Sequence, residues 1–577
     1  MTMITASPVL SSSDPLPAGW RVIGGPAHSL AVHGDRLAAL TPDRGAVWSW
    51  NPTDETWGWI GGPGQRLVSG GWDLHSLTPD VWRWDGRAWS STGSPGSEFV
   101  AIGGGLYALA PKRDAVLRYD RYDNSWTKIG GPAAHLVGGG SKLYAIGPDG
   151  SIVEYSRFER KWTRIGGPGA QFVGVGATVY ALRPDRSAVF RYDGAPDQWT
   201  RVGGPAAFLI GGGSVLYATQ PGTGSVWRYA GSGETWEQIG PRGTGFVATG
   251  RSLYALTPDR SAVLAYEPMN SETRRLRTLM NATYTGAAYE GRMRRGFLVK
   301  RLGGPVIAEH QAGTIFQPLS VLKLLPYAHA LMQIDRGRST LDTMVSWPDP
   351  TPGSGPLRDV LPTTMWFSHN RSLEAVMNHY SVVAITRNAQ QLGLRETEMY
   401  LGNGDGTPAG WWAHNLSTLH DLARLLEGIE QLQVVSADTR GLFRRLMIER
   451  TPGAGTSYVS PILHQTAGPE SSAFLRPLVE KEAGGKLPQV KEFMKHVVIR
   501  FKAGGGNPAA GEFGYGEFFT LTLPFKGQDG TVVPTTYLLG WYLNQVFSEI
   551  IGPDSPELAA FKNAMFRTPI REALKSW

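Results

Sequence analysis

Short apolar runs rich in β-branched and aromatic residues alternate with Gly, Pro, Asp and Asn through the first half of the chain, and the alternation is periodic. Its marker is a tryptophan leading into a Gly-Gly-Pro turn, clearest in Trp126-Thr127-Lys128-Ile129-Gly130-Gly131-Pro132, Trp162-Thr163-Arg164-Ile165-Gly166-Gly167-Pro168 and Trp199-Thr200-Arg201-Val202-Gly203-Gly204-Pro205. Related copies begin at Trp20, Trp57, Trp89 and Trp236, which sets the seven tryptophans 37, 32, 37, 36, 37 and 37 residues apart. One repeat holds four runs: Trp-x-x-Ile, an apolar pair such as Leu136-Val137, then Leu143-Tyr144-Ala145-Ile146, then Ile152-Val153-Glu154-Tyr155. Each is bounded by turn formers, which predicts strands.

Four strands at this period predict a propeller blade; helical repeats of similar length need a helical periodicity that is absent here. Seven units predict an all-β, seven-bladed β-propeller over residues 16–268. The array opens on a lone strand at Trp20 and ends on Val263-Leu264-Ala265-Tyr266. The N-terminal strand is therefore expected to complete the last blade, with the opposite phase as the alternative.

After Pro268 the glycine repeats stop and helical patterns appear at residues 320–333, 372–380, 385–392 and 416–432. Strand-like runs lie at 296–300, 306–310, 496–501 and 517–524, followed by an expected helix over 536–551. This order predicts an α+β domain over 269–577 whose first and last parts meet in one antiparallel sheet.

At 577 residues and 41% hydrophobic, the chain has room for two or three globular domains. A net charge of +7 is mild at this length, and the basic clusters Arg274-Arg275-Leu276-Arg277 and Arg292-Met293-Arg294-Arg295 read as solvated faces, so no nucleic-acid partner is expected. The chain has no cysteine, which excludes disulfides, thiolate metal sites and a cysteine nucleophile. His414, His420 and His464 have no metal-ligand spacing and read as structural or surface groups; no metal or cofactor is expected. No apolar stretch is long enough to span a bilayer. Residues 1–15 are set apart from the fold, because Met1-Thr2-Met3-Ile4-Thr5-Ala6 resembles the β-galactosidase leader carried by cloning vectors. As written the chain reads as soluble and cytoplasmic; if that leader replaces a native start, a periplasmic or secreted origin is expected.

Three motifs carry candidate chemistry. Ser320-Val321-Leu322-Lys323 opens an apolar helix, where positions i and i+3 share a face and a desolvated lysine can serve as base to a serine hydroxyl. Ser368-His369-Asn370 precedes an amphipathic helix and offers a second hydroxyl and an amide. Lys502-Ala503-Gly504-Gly505 ends a strand, with a positive charge and glycines that let a substrate lie against the edge. Taken singly such motifs mean little: the repeats contain Ser125-Trp126-Thr127-Lys128 and Ser49-Trp50-Asn51 by chance. Order and context give them weight.

The ordered set resembles the serine β-lactamase and penicillin-binding protein superfamily, closest to its class A-like branch, over roughly residues 275–577. The resemblance implies Ser320 as acylated nucleophile, Lys323 as general base, Ser368 as proton relay, Asn370 as substrate ligand and Lys502 as electrostatic anchor. It also implies an oxyanion hole from the backbone N–H groups of Ser320 and Gly505, with Gly504 beside it. The chain departs from the family pattern in three places. His369 stands where Asp is usual, and Ala503 replaces a hydroxyl that helps bind a substrate carboxylate. Glu396 and Glu398, the nearest candidates for a deacylating base, lack the Glu-x-x-Leu-Asn signature and read as surface residues. Residues 451–495 have no counterpart in compact β-lactamases and read as an insertion over the site.

The expected function is a serine hydrolase acting through an acyl-enzyme on a small-molecule or peptide substrate: a β-lactam, a D-amino-acid amide or an ester. The alternative is a penicillin-binding sensor that acylates without turnover, or a glycan-binding protein. The repeats resemble tachylectin-like propellers, which implies carbohydrate as a partner, although the repeated Trp and Tyr side chains read as core between blades.

Overall fold

The computed structural model describes residues 16–34, 36–52, 55–68, 73–86, 88–93, 96–102, 105–120, 124–139, 142–157, 159–240, 242–283, 294–347, 353–366, 368–399, 415–448, 475–485, 487–509, 512–546 and 556–577. They form two compact units, the first running to Met269 and taking in Gly313–Ile315, the second made of the remaining described residues from Asn270 on.

The first unit is all-β. Its described strands form seven four-stranded antiparallel sheets, of which Gln171–Val175, Thr178–Leu182, Val189–Tyr192 and Trp199–Gly203 are typical. One sheet joins Trp20–Gly24 to Val263–Tyr266, so the first strand of the array pairs with the last.

The repeat motif has a physical explanation residue by residue. In six sheets the outer strand pair slips by one residue at the Ile or Val of Trp-x-x-Ile, leaving Ile23, Ile60, Ile129, Ile165, Val202 and Ile239 unpaired in the ladder. A bulge of this kind frees a backbone carbonyl. Each freed carbonyl accepts the indole N–H of the tryptophan one repeat on: Trp57 to Ile23, Trp89 to Ile60, Trp162 to Ile129, Trp199 to Ile165, Trp236 to Val202 and Trp20 to Ile239, at 2.7–3.0 Å. Trp126 bonds Thr92 in the same way at 2.7 Å, so the seven bonds run in a cycle back to their starting sheet.

The two glycines of the turn differ in purpose. A Cβ on Gly166 would stand 2.8 Å from the Trp199 indole nitrogen, and Gly24, Gly61, Gly130, Gly203 and Gly240 face their own tryptophans as closely. The second glycine meets no such neighbour: Gly25, Gly62, Gly131, Gly167 and Gly204 have open space where a Cβ would go. Tyr107, Tyr144, Tyr180, Tyr217 and Tyr254 are buried, as core residues should be.

The second unit is α+β. Its five-stranded antiparallel sheet has the order Val306–His310, Arg294–Arg301, Val532–Val546, Glu512–Lys526, Val498–Ala509. The first and last parts of the unit meet in it, through the pairing of Arg294–Arg301 with Val532–Val546. The helix expected over 536–551 is corrected to strand as far as Val546, and a helix follows at Pro556–Leu574. That strand is central and buried on both faces, so it shows no alternation, and its Thr, Tyr, Leu and Trp run mimics a buried helix. The apolar helix Leu324–Asp335 packs at the centre of a core shared with Asn370–Tyr380, Leu419–Glu430 and the sheet.

Candidate active site

Ser320 and Lys323 lie in a 3-10 turn, Leu319–Lys323, that runs into the helix Leu324–Asp335. The expected α-helix thus begins four residues after Ser320, and the tighter turn eclipses positions i and i+3, which keeps the two side chains on one face. The chance copy at Ser125 and Lys128 sits on a strand, where i and i+3 point to opposite faces, and Lys128 is exposed.

Lys323 is 1% exposed. Its amine donates to the Ser368 hydroxyl at 3.0 Å, to the Asn370 side-chain oxygen at 2.8 Å and to the Ser368 carbonyl. Burial, reinforced by the nearby charge of Lys502, holds its pKa well below the ordinary lysine range. Lys502, 6% exposed, reaches the same Ser368 hydroxyl at 3.3 Å. Ser368 therefore stands between two lysines, a position from which a hydroxyl can pass a proton.

Local backbone explains how the second motif presents these groups. Ser368 has φ 52°, in the left-handed region that costs a residue with a Cβ about 1–2 kcal/mol. Directly after it, His369 caps the helix Asn370–Tyr380, its Nδ1 accepting from the Ser372 backbone N–H at 3.2 Å and lying 2.8 Å from the Ser372 hydroxyl. An imidazole whose Nδ1 accepts in this way does the acceptor's work that Asp does at helix N-termini, which accounts for His at this position.

The third motif is seated against the first. A Cβ on Gly504 would stand 2.8 Å from the backbone nitrogens of both Ser320 and Val321, so only glycine lets the strand approach Ser320 this closely. Gly505 follows in the same strand, opposite Tyr515. Ala503 is buried and opposite Glu517.

The two glutamates differ from expectation: Glu396 is 8% and Glu398 3% exposed, and neither is a surface residue. Their segment is drawn inward because Asp421 accepts from the Glu396 N–H at 2.8 Å and the Thr397 hydroxyl at 2.9 Å, while Glu398 pairs with Leu416. Those bonds tie the segment to the start of the helix Leu419–Glu430 and to Leu416 just before it. His420 bonds Glu309 at 2.6 Å, a structural role. Trp411, Trp412, His414, His464 and residues 402–406 lie outside the described residues, as does most of the expected insertion; its described remainder includes the helices Arg476–Glu482 and Leu487–Met494.

Among the described residues no group of three or more His, Asp or Glu side chains is placed to hold a metal, and no helix is long and apolar enough to cross a membrane.

No curated protein matches the chain. Among solved structures, a β-lactamase from Chitinophaga pinensis is 16% identical, covering 52% of this chain and 99% of its own, with a TM-score of 0.36. A β-lactamase from Xanthomonas campestris is also 16% identical, covering 52% and 97%, with a TM-score of 0.35. The structure of PBP-A is 14% identical, covering 53% and 99%, with a TM-score of 0.36. Residues 273–453 match the model of the β-lactamase enzyme family, a span that contains Ser320, Lys323, Ser368 and Asn370 and stops before Lys502. Residues 273–453 of this chain are thus similar to the β-lactamase enzyme family.

Proposed function

We propose that the second unit is a serine hydrolase that forms an acyl-enzyme on Ser320. One observation carries this reading: a buried lysine with a depressed pKa is held one 3-10 turn from Ser320 and bonded to Ser368 and Asn370. Lys323 in its neutral form takes the Ser320 proton as the hydroxyl attacks the substrate carbonyl. The oxyanion is received by the backbone N–H groups of Ser320 and Gly505. Lys323, now protonated, passes that proton through the Ser368 hydroxyl to the departing amine or alkoxide, and water then hydrolyses the acyl-enzyme ester. Without a hydroxyl at residue 503, substrates that depend on a carboxylate contact lose a donor, which favours esters and simple amides over penicillins.

The test is a turnover assay with a chromogenic cephalosporin, a D-alanyl amide and a p-nitrophenyl ester, using the wild-type chain and Ser320→Ala. Hydrolysis abolished by the substitution supports the hydrolase. A stable one-to-one adduct with a penicillin and no turnover supports the sensor reading instead, which the missing Glu-x-x-Leu-Asn signature around Glu396 and Glu398 keeps open.

The seven sheets are proposed to form a seven-bladed propeller that serves as a carbohydrate-binding or scaffolding module. The observation behind the ligand is a difference among sister sheets. At one outer cross-strand position three sheets pair an apolar group with a long basic stem, Leu117 with Lys128, Val153 with Arg164 and Phe190 with Arg201, while Trp82 faces Ser91 and Trp227 faces Gln238 in two others. The equivalent pair in the first sheet is Trp48 with Trp59, 37% and 63% exposed. Trp48 also lines a cavity of about 170 Å³ with Trp57, Gly25, Pro26 and Thr41. Exposed indole faces beside a small cavity suit stacking on a sugar ring.

A further inference from the structure

We infer that Asn544, distant from all three motifs in sequence, is a positioning residue for the nucleophile; the inference rests on Ser320 being the acylated group. Asn544 lies on the central strand of the sheet and is 2% exposed. Its side-chain oxygen accepts the Gln317 backbone N–H at 2.7 Å, and its side-chain amide donates to the Gln317 carbonyl at 3.2 Å. The amide thus imitates a strand partner for one residue, three positions before Ser320.

That residue is where a clamp matters. Immediately upstream, Phe316 is already fixed, by reciprocal backbone bonds to Ser417 at 2.9 and 3.1 Å and by stacking on Tyr542 at 4.2 Å. Downstream, Pro318 has no N–H to anchor it, and Leu319 is held at φ 51°, an unfavourable conformation for a residue with a Cβ. Such a conformation persists only where the surroundings over-determine it. Here they are two: the Asn544 clamp on Gln317, and Gly514, where a Cβ would stand 2.9 Å from the Leu319 side chain and 3.0 Å from the Asn544 amide. Were Gln317 released, Leu319 would relax toward negative φ and turn Ser320 away from Lys323 and from the strand carrying Gly504. The clamp sets the direction of the Ser320 hydroxyl without touching substrate.

The test uses the full chain and a fluorescent penicillin or p-nitrophenyl ester, whichever labels Ser320, with the acylation rate constant and the dissociation constant of the preceding complex measured separately. Asn544→Asp keeps the acceptor and loses the donor; Asn544→Leu keeps the volume and loses both. The expected acylation rate falls about 10-fold in the first and on the order of 100-fold in the second, with the dissociation constant unchanged. Leu319→Gly in the Asn544→Asp background is expected to recover part of the loss, because glycine adopts the left-handed turn without a clamp. Wild-type acylation in either variant, a loss borne by binding alone, or a further fall on adding Leu319→Gly overturns the inference, and the Asp variant keeps the test open if the Leu variant does not fold. Ser320→Ala run alongside separates the two claims: if it still labels, the nucleophile assignment fails; if it is silent while Asn544→Leu labels at full rate, only the clamp fails.

Discussion

Lys323 and Ser368 face each other amine to hydroxyl at 3.0 Å, and Lys502 reaches the same hydroxyl at 3.3 Å. Two cations sharing one hydroxyl in a buried site oppose each other's charge, and the more deeply buried Lys323 yields. The first prediction follows from that. Acylation should rise with pH along a limb whose midpoint lies well below the ordinary lysine value of about 10.4. Lys502→Gln removes the like charge, so the Lys323 pKa rises and the limb moves to higher pH; an uncharged ester substrate keeps the anchoring role of Lys502 out of the measurement. Lys323→Ala should cost on the order of 10²- to 10⁴-fold in acylation. The stability effect has a definite sign: because the folded-state pKa is lowered, the unfolded chain binds the extra proton between the two values. The cost of burying Lys323 is therefore complete below its folded pKa and is relieved as pH rises from there toward about 10.4.

The paired glycines give a second prediction, about the first unit. Gly166→Ala forces a Cβ against the Trp199 indole and should destabilise by about 1–3 kcal/mol. Gly167→Ala meets open space and should change stability by no more than about 0.5 kcal/mol. Thermal melts of the two variants, one residue apart, check the asymmetry directly.

A third prediction concerns the five-stranded sheet of the second unit. Lys562 and Glu517 pair at 2.6 Å with both side chains at most 5% exposed, and Trp541 donates to Glu517 at 2.8 Å. Lys562→Met alone leaves an uncompensated buried carboxylate and should destabilise by about 3–5 kcal/mol. The double change Lys562→Met with Glu517→Gln should recover most of that, and denaturant titration of the wild type and the two variants measures the difference.

A fourth follows from the exposed indole pair. Trp59→Ala should reduce retention of the protein on an insoluble polysaccharide such as chitin or peptidoglycan at least several-fold, while leaving ester hydrolysis unchanged. Equal retention of the variant and the wild type on every glycan tried removes the case for a sugar site at Trp48 and Trp59.

Much of this was legible in the sequence because its cause is local. The Trp-x-x-Ile-Gly-Gly-Pro copies announce strands and turns by composition and period, and the order of the Ser-x-x-Lys, Ser-x-Asn and Lys-x-Gly motifs singles out Ser320, Lys323, Ser368, Asn370 and Lys502. What stayed hidden depends on distant partners. No pattern shows that the first glycine of each turn makes room for an indole one repeat on, since both glycines look alike in sequence. Residues 536–546 read as a helix because a central strand buried on both faces has no alternation to read. Glu396 and Glu398 read as exposed because their burial comes from Asp421 and Leu416, which follow in the chain. Asn544 has no signal of its own: an Asn in an apolar run becomes meaningful only when Gln317 is seen beside it.

Whether Ser320 carries the acyl group is decided by intact mass measurement after brief exposure to an activated ester or a penicillin, followed by peptide mapping. One added acyl group per chain is expected, located on the peptide that contains Ser320 and absent from Ser320→Ala. An adduct on any other residue, or hydrolysis of these substrates undiminished in Ser320→Ala, would contradict it.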